Sequence, residues 1–161
     1  MFNPVYDKSR QLLRCGAILL LALVVGSCGS NDPKPSTGDV ITSGFLELRM
    51  EAQKIITDSV RREKYLSGVA SLETVLREFD ETSSGIFTEY RAAFVDYGND
   101  KSKLNDIAAR FRAEQSQANA RFIEAHLAMA SSVTAEEWKP LARKEVRLLK
   151  DIKKAAAGSL E

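Results

Sequence analysis

Residues 69 to 100 read VASLETVLREFDETSSGIFTEYRAAFVDYGND, and this stretch decides the fold. Val69, Leu72, Leu76, Phe79, Ser83, Ile86, Tyr90, Phe94 and Tyr97 recur at intervals of three and four, which on a helix gathers them into one stripe. Asp58 can cap the same helix upstream, its carboxylate accepting the free amide hydrogens of the first turn. The pattern therefore predicts a single helix about 58 Å long. Gly98-Asn99-Asp100 breaks it and caps the next helix.

Downstream, about Lys101 to Ser131 repeats the pattern with Leu104, Ile107, Ala108, Phe111, Gln115, Ala118, Phe122, Ala125 and Met129. A short turn forces this helix to lie antiparallel to the preceding one. Pairing outward from the turn sets Phe94 near Leu104, Tyr90 near Ile107, Ile86 near Phe111, Phe79 near Ala118, Leu76 near Phe122 and Val69 near Met129. Ser83 and Gln115 form the one polar layer, which can fix the alignment.

The flanks are helical too. No proline interrupts the chain between Pro35 and Pro140, and strong helix formers dominate from Asp39 onward. From Asp39 to about Thr57, Ile41, Phe45, Leu48, Ala52, Ile55 and Ile56 share a face. Thr134-Ala135-Glu136-Glu137 matches a capping box that opens a last helix, with Trp138, Leu141, Leu148, Leu149 and Ile152 on its apolar side and Gly158 at its end. Pro140 lies past the first turn, so a kink or a restart near Lys139 is expected. The fold class is all-α: an antiparallel bundle of about four helices built on a long helical hairpin, occupying residues 39–161. The outer helices are short and reach only the base of the hairpin. Residues 79–115 should project as a two-helix arm.

Ahead of this domain stands a different kind of sequence. Residues 1 to 14 are cationic, with Lys8, Arg10 and Arg14, and residues 15 to 25 read CGAILLLALVV without a charge. A cationic start, a short apolar run and small residues make an export signal, and about 20 apolar residues would be needed to span a bilayer. Val25-Gly26-Ser27-Cys28 then resembles the lipobox of bacterial lipoproteins. The resemblance implies removal of residues 1–27 by cleavage between Ser27 and Cys28, a diacylglycerol thioether on Cys28, and acylation of its new amino group. Cys15 would leave with the signal, so a thiol cofactor or disulfide is not expected. Two or more acyl chains anchor durably. Residues 28–38, with Pro33 and Pro35, have a linker composition. Gly29 after the lipobox cysteine, where Asp would signal retention in the inner membrane, implies the outer membrane of a Gram-negative envelope, facing the periplasm.

In 161 residues, 23 Lys and Arg offset 22 Asp and Glu, which argues against nucleic acid as a partner. One segment departs from this balance. Lys139, Arg143, Lys144, Arg147, Lys150, Lys153 and Lys154 stand against Glu145 and Asp151, a local excess of five positive charges. Contact with an anionic surface and a solvated helix face both fit such a run. His126 is the sole histidine and lies on or beside the core stripe; spacing supplies neither the nucleophile and oriented partner of a general base nor the ligands of a metal site, so a satisfied or a half-exposed side chain is expected. Asp80-Glu81 and Glu136-Glu137 diverge around a helix and suit solvation and capping better than paired-acid catalysis. No catalytic residue, metal or other cofactor is expected, and the reading is of a non-enzymatic protein.

At Ile56-Thr57-Asp58-Ser59-Val60-Arg61, Asp96-Tyr97-Gly98 and Val133-Thr134-Ala135-Glu136-Glu137-Trp138 the chain resembles a group of small, all-helical, uncharacterised proteobacterial lipoproteins. Val133 to Glu137 is also distantly similar to the L-T-x-x-Q motif of the CpxP/Spy family of periplasmic chaperones and stress or metal sensors, which are helical hairpins. A projecting pair of helices buries little, and the apolar Phe87 and Tyr97 lie near its tip, so the expectation is a membrane-anchored structural or protein-interaction module that contacts an envelope protein or a second copy through residues 79–115. The more distant resemblance implies, as the alternative, a chaperone or sensor.

Overall fold

The computed structural model describes residues 35–95 and 101–158. Four helices, α1 (Thr37–Ile55), α2 (Ser59–Val95), α3 (Lys101–Ser131) and α4 (Ala135–Gly158), account for nearly all of them, and the all-α bundle expected from periodicity is the fold. Residues 96–100, where the turn is expected, and residues 1–34, which hold the expected signal, lipobox and most of the expected linker, lie outside the described residues.

Helix starts follow local capping chemistry. α1 opens two residues before Asp39 because Ser36 and Asp39 close a reciprocal box: the Asp39 N–H donates to Ser36 Oγ at 3.1 Å and the Ser36 N–H donates to Asp39 Oδ2 at 3.2 Å. Asp58 caps α2, accepting the Arg61 N–H at 2.8 Å, and that bond first of all holds its carboxyl below the usual range. Thr134 and Glu137 form the box at α4 as expected, Thr134 N–H to Glu137 Oε2 at 2.9 Å and Glu137 N–H to Thr134 Oγ1 at 3.3 Å. α4 does not restart at Pro140. It runs unbroken through it, the missing amide falling opposite the carbonyl of Glu136, a solvent-exposed residue of the first turn.

α1 buries Thr37, Ile41, Phe45, Leu48 and Ala52, a four-and-three stripe that packs on α2 and, antiparallel, on α4. Gly44 lets Leu148 approach α1, and Lys144 Nζ reaches Glu47 at 2.7 Å one turn further on. On the other flank Glu73 of α2 receives Arg49 and also Arg77, the latter at 2.9 Å, while Arg77 donates to Thr42 Oγ1 at 2.7 Å. The core gathers Ile41, Phe45, Leu48, Tyr65, Val69, Leu72, Met129 and Leu141. Each full burial of such a side chain favours folding by about 1.5–3 kcal/mol.

α2 and α3 hold each other in the expected antiparallel register, marked by Arg121 with Glu78 and Arg110 with Glu89, each at 2.5 Å. Phe79 departs from its expected partner: it packs on Phe111, ring centroids 6.2 Å apart, about two turns nearer the tip than Ala118. Beyond Phe79 the burial fades. Ala93 is the one further buried residue on α2, and α3 buries only Ile107, Ala125 and Met129; Tyr90 and Phe94, expected in the seam opposite Ile107 and Leu104, are instead exposed, because the stripe rotates so that the small Ala93 faces α3. With 19 and 24 residues against 37 and 31, α1 and α4 leave the outer part of the hairpin uncovered.

Candidate functional site

The most polar point of the core lies where α2, α3 and α4 meet. α4 turns Leu141, Glu145 and Leu148 inward at intervals of four and three, so a carboxylate occupies an apolar position of the stripe. The side chain of Glu145 is 2% exposed, and its Oε1 lies 2.8 Å from Nδ1 of His126, which is 33% exposed. His126 stacks on Phe122, ring centroids 6.2 Å apart, and meets the edge of Trp138 at 5.3 Å. The hydrogen bond to Glu145 raises the His126 pKa above its ordinary value, against the lowering effect of burial.

Tyr65 completes the cluster from α2. It is fully buried, and its hydroxyl has no hydrogen-bond partner among the described residues. Burial, and then the charge of Glu145, push the phenol far above its ordinary pKa, so it stays protonated across the physiological range. A buried hydroxyl without a partner opposes folding, hence Tyr65→Phe should leave the fold intact and raise stability by about 1 kcal/mol. Thermal unfolding checks this; a clear drop in midpoint would mean that the hydroxyl makes a bond the cluster needs.

Glu145 orients the imidazole as a carboxylate orients a catalytic histidine, while the phenol of Tyr65 is held protonated and makes no hydrogen bond to either among the described residues. The described residues contain no group of three or more His, Cys, Asp or Glu side chains placed to hold a metal ion. The acid pairs resolve separately: Glu137 caps α4 and receives Arg61 at 2.5 Å, while Asp80 is half-buried and its carboxyl is raised by burial first and by Glu81 second.

The seven cations of the basic run divide. Lys144 faces α1 and is paired with Glu47, and Lys153 is half-buried. Lys139, Arg143, Arg147, Lys150 and Lys154 are exposed, and at spacings of four, four, three and four they form a single stripe opposite Leu141, Glu145 and Leu148. Ser27 and Cys28 lie outside the described residues.

On the arm, Phe94 and Val95 are 65% and 72% exposed, and Phe94 stacks on the exposed ring of Tyr90 with centroids 6.0 Å apart. Arg91 lies over the Phe87 ring at 4.8 Å. No helix among the described residues is long and apolar enough to cross a membrane.

No protein-family model, curated protein or solved structure matches the chain.

Glu145 is the functional-looking residue that reading by residue type misses. Its signal is positional: it stands four residues after Leu141 and three before Leu148, where the stripe calls for an apolar side chain.

Proposed function

We propose that the chain is a non-enzymatic lipoprotein of the bacterial envelope, anchored through Cys28, which presents residues 79–115 to another envelope protein or to a second copy of itself. The observation that supports this reading is the uncovered end of the α2–α3 hairpin, with Phe94, Val95 and Tyr90 open to solvent. Exposed apolar side chains clustered in this way mark contact surfaces, and aromatic residues carry a large share of binding energy at such surfaces. The outer-membrane, periplasm-facing location rests on the lipobox resemblance and on Gly29.

Chemical cross-linking of the native protein in isolated envelopes tests the arm. Phe94→Glu combined with Val95→Glu should abolish the cross-linked species, whether homodimer or heteromer, and shift the thermal midpoint by no more than a few degrees, because both side chains are largely solvated already. An unchanged cross-linking pattern counts against the arm as the contact surface.

A further inference from the structure

α1 and α4 run antiparallel, so the start of α1 lies beside the C-terminal turns of α4. Gly44 meets Leu148 and Glu47 meets Lys144, which places Thr37 to Ile41 alongside the turns that carry Lys150 and Lys154. The chain enters the fold at Pro35 and Ser36, and Cys28 is within about 25 Å of Pro35 even if the intervening residues are fully extended. A lipid on Cys28 thus holds this particular end of α4 close to the membrane surface.

The outward face of α4 has the matching chemistry. Lys139, Arg143, Arg147, Lys150 and Lys154 line up over about 22 Å, with Val146 also exposed among them. None of the five forms an ion pair among the described residues. The acidic side chains nearby are Glu136 at the start of the stripe, Asp151 at its edge and Glu47 of α1, which Lys144 engages directly and on which the charge of Arg147 also acts, more weakly and without forming an ion pair. Leu46 and Met50 are exposed on the solvent side of the neighbouring α1. Cations outside ion pairs, with scattered apolar side chains among them, suit a bed of anionic headgroups: each cation gains from the negative surface potential, and the apolar groups reach the acyl boundary.

We infer that the basic stripe of α4 lies on the anionic lipid headgroups of the membrane in which the protein is anchored. This inference rests on the reading of Cys28 as the anchor for the identity of that membrane and for the nearness of α4 to it; the stripe and its exposure are independent of it. Docking along α4 sets this helix parallel to the lipid surface, with the turns that carry Lys150 and Lys154 at the level of Thr42 and Arg77, the root of the arm, and its first turn, where Glu137 receives Arg61, at the base.

Lysine footprinting tests the inference. The native protein is reconstituted on vesicles of phosphatidylcholine alone and on vesicles in which about a third of the lipid is phosphatidylglycerol, then treated with a water-soluble amine reagent and analysed by peptide mass. On anionic vesicles, labelling of Lys150 and Lys154 should fall about fivefold relative to neutral ones, while Lys103 on the arm stays unchanged. Raised salt, or Arg143→Glu with Arg147→Glu, should remove the protection. Equal labelling on both kinds of vesicle, in protein whose N-terminal peptide carries the lipid on Cys28, overturns the stripe and leaves the anchor standing. A chain that lacks the lipid yet is protected by anionic vesicles refutes the anchor and supports the stripe.

Discussion

Replacing Gly68 by leucine should lower stability by about 3 kcal/mol or more and the thermal midpoint by on the order of 10 °C. Gly68 is buried on α2 against Ala125 and Met129 of α3. A β-carbon there would stand 2.6 Å from Met129 Cγ, and 3.3 Å from both the Ala125 carbonyl oxygen and the Met129 nitrogen. The thioether can turn aside, but two of the three obstacles are backbone. A branched side chain therefore has to drive α2 and α3 apart just where Val69, Leu72 and Met129 are fully buried. Alanine at the same position should cost less, because the better helix propensity of alanine, about 1 kcal/mol, offsets part of the clash. Gly85 supplies the control on the same helix. It is exposed, nothing lies within 4 Å of its would-be β-carbon, and Gly85→Ala should stabilise by about 0.5–1 kcal/mol. Circular dichroism melts of the three variants check the contrast. A Gly68→Leu midpoint equal to wild type would mean that α2 and α3 can separate here at no cost.

The contrast between Gly68 and Gly85 also separates what sequence carries from what it omits. Both glycines sit in a helical stretch, and nothing local tells them apart; only the partner helix does. Periodicity is sufficient for Ile41, Phe45, Leu48 and Ala52, because a helix with one buried face must repeat at 3.6 residues, and for the hairpin register, because a short turn leaves little freedom. It fails for the start of α1, where Asp39 at the third helical position replaces the usual Glu or Gln of a capping box. It fails again for Phe79, whose ring packs along the hairpin rather than straight across it. The exposed arm is legible from helix lengths alone. The division of the basic run is not, since it depends on α1 packing on the side of α4 that carries Lys144 and not on the side that carries Lys150.

Glu145 is the residue that sequence hides best, and its pairing with His126 gives the second large effect. His126→Ala should destabilise by about 3 kcal/mol, because it leaves a carboxylate 2% exposed with no hydrogen-bonding partner. Glu145→Leu should cost far less, since the imidazole left behind already reaches solvent and the new side chain continues the Leu141–Leu148 stripe. The double variant, His126→Phe with Glu145→Leu, should match or exceed wild type, for apolar replacement of a buried ion pair is often neutral or stabilising. The pair also sets a pH dependence whose sign is fixed. His126 has a folded pKa above its unfolded value of about 6.5, so in the interval between them the native state binds more protons than the unfolded one and stability falls as pH rises. The contribution is complete below about pH 6.5 and disappears as pH climbs through the folded pKa. Being the sole histidine, His126 is the only imidazole able to produce this slope, which the double variant should lack. Urea unfolding of wild type and double variant across this interval measures the difference, and parallel curves would show that the histidine titrates alike in both states and that its bond to Glu145 does not strengthen on protonation.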